Sequence, residues 1–163
     1  TVLRIGSPRD DPLPRDFWGC VDFLIDSTRE RKSDGDRTNP RVQDKEIDVF
    51  AWRPFGDGRP GQIIVVAQCA AGKNWTDKGR IPLDVWRDYI AWIHPPVAAL
   101  AIPFVHHDGL RGAGTWRESS LNHTAILMDR LRITTSCMLT SERTKIEPEL
   151  EAWDGPLRAT LRT

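Results

Sequence analysis

Five stretches of patterned hydrophobicity run along the chain, separated by polar or Gly- and Pro-rich segments. From Asp16 to about Glu30 the apolar positions Phe17, Cys20, Val21, Leu24 and Ile25 recur at i, i+3, i+4 and i+7. That spacing predicts an amphipathic helix, with Asp16 as its N-cap. Residues 1–15 hold Pro8, Pro12 and Pro14 among alternating charges and read as an irregular lead-in. Residues 31–44 are polar and read as a surface loop. Ile47–Trp52 and Gln62–Cys69 are rich in β-branched and aromatic residues, and PFGDGRPG between them is a turn. They predict an antiparallel pair of strands, the second buried on both faces.

Downstream, Leu83, Trp86, Ile90 and Ile93 predict a helix over 83–94, ended by Pro95-Pro96. Val97–Val105 is expected as a strand, Trp116–Asn122 as a short helix, and Ala125–Thr134 as two short strands around Asp129-Arg130. The expected core spans about 16–135, followed by an irregular charged extension over about 136–163. The order helix, strand, strand, helix, strand points to an α/β fold: a mixed sheet flanked by helices, in one domain.

Composition changes this picture little. The 163 residues are enough for one core, and 39% hydrophobic with 28% charged residues is globular usage. Seven Trp against one Tyr points to indoles as packing residues. Lys+Arg and Asp+Glu are both 23, so no basic excess marks a non-specific nucleic-acid binder, and an acidic metal site beside a basic groove stays possible in principle. Three Cys (Cys20, Cys69, Cys137) without CxxC spacing are expected as free thiols in a reducing cytoplasm. No apolar run approaches membrane-spanning length. The chain opens on Thr rather than Met, as a fragment or processed chain does.

The candidate chemistry starts with Asp48, placed within an otherwise apolar strand. A buried carboxylate costs several kcal/mol unless paired or bound to a cation. Gln68 closes the neighbouring run of Ile and Val, and Lys73 follows in a Gly-containing turn. A carboxylate and a second oxygen donor on adjacent strands make half of an octahedral Mg²⁺ (or Mn²⁺) site, water and phosphate filling the rest. A lysine close by can hold the attacking water and stabilise charge on phosphorus. The bland alternatives are that Asp48 is a structural acid paired to Arg53 or Lys45, and that Gln68 is a satisfied core amide. Glu46 is expected as a solvated surface acid, and His106-His107-Asp108 as a solvated loop. Trp75, beside Asn74, is expected in core packing. Gly109–Gly114 lacks the Lys-Ser/Thr of a phosphate-binding loop, and no G-x-S-x-G elbow marks a nucleophilic serine.

Asp44-Lys45-Glu46-Ile47-Asp48 and Ile64-Val65-Val66-Ala67-Gln68-Cys69-Ala70 together resemble the two signature strands of the PD-(D/E)XK nucleases, in particular the Mrr-type restriction endonuclease catalytic domain. There a strand beginning D-G-G-I-D is followed by a partner strand ending Q-x-K in place of E-x-K. The resemblance covers about residues 16–105. It implies a restriction-endonuclease-like α-β-β-α-β core and a Mg²⁺-dependent endonuclease acting on DNA, in restriction or anti-phage defence. It assigns Asp48, Gln68 and Lys73 as catalytic residues, with Asp48, Gln68 and the Cys69 carbonyl toward the metal. The chain departs from the pattern at Ala70, where the family's Lys stands. Side chains alternate along a strand, so Lys73 substitutes only if the chain turns at Ala71-Gly72. The family's upstream Glu has Asp22, Asp26 and Glu30 as candidates. Arg41, Arg53, Arg59, Lys78 and Arg80 are candidate phosphate contacts. Further domains or subunits of a defence system, or a second copy, are expected partners, and no membrane.

The alternative carried beside this is an inactive nuclease-fold module for nucleic-acid binding or subunit docking. A third is an α/β domain of unrelated ancestry in which Asp48 is merely paired.

Overall fold

A computed structural model describes residues 1–9, 11–37, 45–109 and 113–138. The fold is α/β. A five-stranded mixed sheet runs in the order β1 (Val2–Arg4), β3 (Val49–Arg53), β4 (Ile63–Cys69), β6 (Val97–Ala101), β7 (Ile126–Met128). A two-stranded ribbon pairs β2 (Arg31–Lys32) with β5 (Ile90–Ala91). The predicted hairpin is there: β3 and β4 are antiparallel, with Phe50 opposite Val66 and Trp52 opposite Ile64. β6 then lies parallel to β4, and β7 parallel to β6.

Alternation sorts β4 into two sides. Ile64, Val66 and Gln68 are buried on one, while Ile63 and Cys69 are exposed on the other. The expectation of a strand buried on both faces is therefore corrected. Paired positions share a side, so Ile63, Val97 and Ile126, all exposed, belong to one apolar surface.

The covered side receives α1 (Phe17–Thr28). Asp16 caps it through a 2.7 Å bond from the Gly19 N–H, the usual way to satisfy a free first-turn amide. Phe17, Cys20, Val21, Leu24 and Ile25 pack with Phe50, Ile64, Val66 and Trp86 into one core. Phe17, Trp18, Trp86 and Tyr89 meet edge to face, with ring centroids 4.9–6.0 Å apart. A second cluster gathers Ala70, Trp75, Leu100, Ile102, Ala113 and Leu127 at the other end of β4 and β6.

Five elements differ from the sequence expectation: Arg31–Lys32, expected in a surface loop, is the short strand β2, and the strand expected over Val97–Val105 stops at Ala101. Residues 1–15 are not wholly irregular, because Val2–Arg4 pairs with the edge of β3. The helix expected over 83–94 is only α2 (Leu83–Arg87). Ile90 leaves it to pair with Lys32, and the Ile93 N–H is bound by Glu30, so Pro95-Pro96 ends nothing. The second strand expected after Asp129 is α4 (Arg130–Met138), which Asp129 starts by accepting the Arg132 N–H. α3 (Trp116–His123) is where the pattern put it, closed by a Thr115/Glu118 capping box. Residues 41 and 44 and most of the expected C-terminal extension lie outside the described residues.

Candidate functional site

Asp48 stands one residue before β3, half-buried, rather than within the strand. Its backbone N–H donates to the Ala67 carbonyl at 2.9 Å, and its Oδ2 accepts the Cys69 N–H at 2.7 Å. The residue thereby grips β4 on either side of Gln68. Oδ1 accepts no hydrogen bond from a described residue. It faces Gly6, where an added Cβ would lie 2.8 Å away, so a side chain there would push the Asp48 carboxylate aside. The Asp48 carbonyl accepts from both Ile5 and Gly6. Among the described residues Asp48 makes no ion pair with Arg53 or Lys45. The two residues that deliver the chain to this position, Lys45 and Glu46, both hold left-handed backbone, with φ of 48° and 64°. Non-glycine residues take that conformation at a cost, and strain of this kind concentrates at functional sites.

Gln68 is 4% exposed, and its Oε1 has no hydrogen-bond partner. Among the described residues no protein group satisfies it, and Gln62 Oε1 near the start of β4 is left in the same state. An orphaned buried acceptor costs about 1–3 kcal/mol and asks for a water, an ion or a ligand group. Strand pairing brings Asp48 and Gln68 to the same end of β3 and β4. The contact that closes between them is Asp48 to the Cys69 amide.

Cys69 points to the open side of the sheet and is a free thiol. Desolvation raises its pKa above the ordinary thiol value, and the Asp48 carboxylate adds to the rise. Ala70 is buried in the second apolar cluster and donates its N–H to Ala101. Beyond it the chain turns over Gly72–Asn74 into a short 3-10 helix, Trp75–Asp77. Lys73 is exposed on that turn, and no contact joins it to Asp48 or Gln68 among the described residues.

None of the three candidates for an upstream acid is tied to Asp48. Asp22 pairs with Arg37 and Lys32. Asp26 is exposed. Glu30 is buried and binds two backbone N–H groups, Gly61 at 2.9 Å and Ile93 at 3.1 Å, at the opposite end of the sheet. Among the described residues no three His, Cys, Asp or Glu side chains come together as a metal cage. The donors present are one carboxylate oxygen, the Gln68 amide oxygen and the Cys69 carbonyl. Oxygen is the ligand type that a hydrated Mg²⁺ takes, and the one contact that joins these residues is the bond from the Cys69 N–H to Asp48.

The same end of the sheet holds a feature the sequence expectation missed. His106 is not solvated, its side chain being 2% exposed. Its Nε2 lies 3.1 Å from Ser119 Oγ, its Nδ1 3.6 Å from Asp108 Oδ1, and its N–H donates to buried Asp129 at 3.0 Å. Ser, His and Asp in this relation resemble a nucleophilic relay in outline. Ser119, however, is buried, and the cavities beside His106 do not include it in their walls. The chain of bonds ties residues 106–108 to α3. Neither the one-residue spacing of His106 and Asp108 nor the distant Ser119 carries a sequence signal for this.

Comparison with protein-family models, curated proteins and solved structures returned no match. Among the described residues no helix is long and apolar enough to cross a membrane.

Proposed function

We propose that this chain is a divalent-metal-dependent endonuclease that hydrolyses phosphodiester bonds of DNA, of the kind used in restriction or anti-phage defence in the cytoplasm. The observation that supports it best is the pairing at one sheet end of a carboxylate with an unbonded oxygen, Asp48, and a buried amide with an orphaned oxygen, Gln68. Asp48, Gln68 and the Cys69 carbonyl would hold Mg²⁺ or Mn²⁺. The bound ion supplies positive charge against the scissile phosphate. Lys73, exposed on its turn, orients the attacking water and stabilises the charge that develops on the phosphate oxygens as the P–O bond to the leaving group breaks. The Cys69 N–H fixes the carboxylate so that Asp48 keeps one orientation.

A second reading is favoured by a specific observation. Ala70, at the family's lysine position, is packed among Trp75, Leu100 and Ile102. An inactive nuclease-fold module, binding nucleic acid or docking on a larger assembly, would tolerate that. Incubation of supercoiled plasmid with protein and Mg²⁺ or Mn²⁺ separates the two. Cleavage that chelation and Asp48→Ala both abolish is expected of the enzyme. Undamaged plasmid with both metals, together with no Mn²⁺ uptake by calorimetry, would sink the enzyme and leave the module or an α/β domain of unrelated ancestry.

A further inference from the structure

The parallel strands β4, β6 and β7 all end on the side of the sheet that carries Gln68, and ligands of α/β sheets settle outside such carboxyl ends. Past the end of β6 the chain walls a cavity of about 210 Å³, with Trp75, Phe104, His106 and His107 among its lining residues. Drug-sized ligands occupy about 300–1,000 Å³, so this space suits a single ring system. Trp75 is 5% exposed and already meets the His106 and His123 rings, the His106 side chain is buried, Phe104 is half-buried, and His107 faces solvent. His106 is a shared wall. On its far side a wider trough of about 600 Å³ is lined by Trp116, Asp129 and Arg132. The Arg132 guanidinium lies 5.4 Å from the Trp116 ring, held by a 3.0 Å bond from one of its nitrogens to the Leu127 carbonyl.

We infer that this cleft and trough form a nucleotide subsite, taking one nucleobase against Trp75 and Phe104 and its phosphate toward Arg132. A flat heteroaromatic ring with polar edges is the ligand such walls recognise. Stacking serves its face, and the imidazole of His107 serves its edge. A guanidinium backed by an indole and with donors left over is a phosphate partner. Continuity with the proposed reaction centre comes through the chain itself. Gln68, Lys73 and Trp75 lie within eight residues of one another, so one chain segment joins the subsite to the proposed reaction centre. The inference deepens the nuclease reading and rests on it for the polymeric ligand. The base comes either from a nucleic-acid strand or from a free nucleotide.

The test measures binding in EDTA, where no cutting occurs, with the Asp48→Asn protein. One arm titrates a single-stranded oligonucleotide containing 2-aminopurine, a second the same strand with abasic sites in its place, and a third adenosine monophosphate. The expected result is a saturable 2-aminopurine signal, with binding about tenfold weaker for the abasic strand, for Phe104→Leu and for His107→Ala, one base–aromatic contact being lost in each. His107 is exposed, so its variant folds even if Phe104→Leu does not. Binding of the monophosphate alone, with the same sensitivity to His107→Ala, keeps the subsite and removes the nuclease from it. Equal binding of intact and abasic strands, or no weakening in His107→Ala, overturns the subsite even where plasmid is still cut. No binding of strand or monophosphate overturns it too.

Discussion

Glu30 and Asp48 are acids at opposite ends of one sheet, and they are treated differently. Glu30 is 5% exposed, and each of its oxygens receives a backbone N–H, from Gly61 ahead of β4 and from Ile93 ahead of β6. Nothing about it is unfinished. It clamps two chain segments that would otherwise leave amides without partners, which is what a structural carboxylate does. Asp48 is more exposed yet less satisfied: one oxygen holds Cys69, the other has no hydrogen bond from a described residue, and the orphaned Gln68 oxygen sits in the neighbouring strand. Burial by itself therefore does not mark the functional acid. On the proposed reading it is the acid with an acceptor left over, Asp48, that takes part in the reaction.

The largest expected effect tests that distinction directly. Asp48→Ala lowers plasmid cleavage by about a thousandfold or more, roughly 4 kcal/mol of transition-state stabilisation. Folding stability falls by only about 1 kcal/mol, the value of one hydrogen bond to an amide. The mirror experiment is Glu30→Ala. It strands the Gly61 and Ile93 N–H groups, at a cost of about 3 kcal/mol. For a chain of this size that lowers the melting temperature by about 10 °C. Cleavage per folded molecule is unchanged. If Asp48→Ala costs the greater stability and Glu30→Ala the greater activity, then Asp48 is the structural clamp and Glu30 the acid of the reaction.

Gln68 gives a finer cut. In Gln68→Leu the orphaned oxygen is gone and the packing volume is largely kept, so stability is unchanged or rises by about 1 kcal/mol in a denaturant titration. Cleavage falls by about tenfold, because one oxygen donor leaves the set. A clear loss of stability instead would show that the amide is bonded in solution and belongs to the core.

Much of this was legible in the chain, unevenly. The hairpin of β3 and β4, α1 with its Asp16 cap, and α3 follow from periodicity and capping chemistry, which are local. Placing Asp48 beside Gln68 needed only the turn between the two strands. What escaped was decided by distant partners. Ile90 and Ile93 carry helical spacing, yet Lys32 and Glu30 claim their backbones, and no window around residue 90 contains that information. His106 reads as a loop residue until Ser119 and Asp129 close on it from later elements. The open side of the sheet was also hidden, since a continuous apolar run such as IIVVAQC looks the same whether one face is covered or two. The acids were sorted by neither pattern nor burial, but by counting who donates to them.

The smallest effect reads the Asp48 end without any cleavage. Desolvation, and then the Asp48 carboxylate, hold the Cys69 thiol above its ordinary pKa, so at pH 8 less of it is the reactive thiolate. Asp48→Asn removes the negative charge, lets that pKa fall and speeds alkylation by iodoacetamide about two- to threefold, as read at Cys69 by peptide mass spectrometry. Cys20, on the buried face of α1 with its own thiol pKa raised chiefly by desolvation, supplies the unresponsive reference in the same digest. Mg²⁺ gives the decisive contrast. A cation on Asp48 neutralises the same charge, so it accelerates the wild-type thiol and leaves the Asn variant alone. If Mg²⁺ changes neither rate, or both alike, the carboxylate is not where the ion goes, and Asp48 is another Glu30 with one bond fewer.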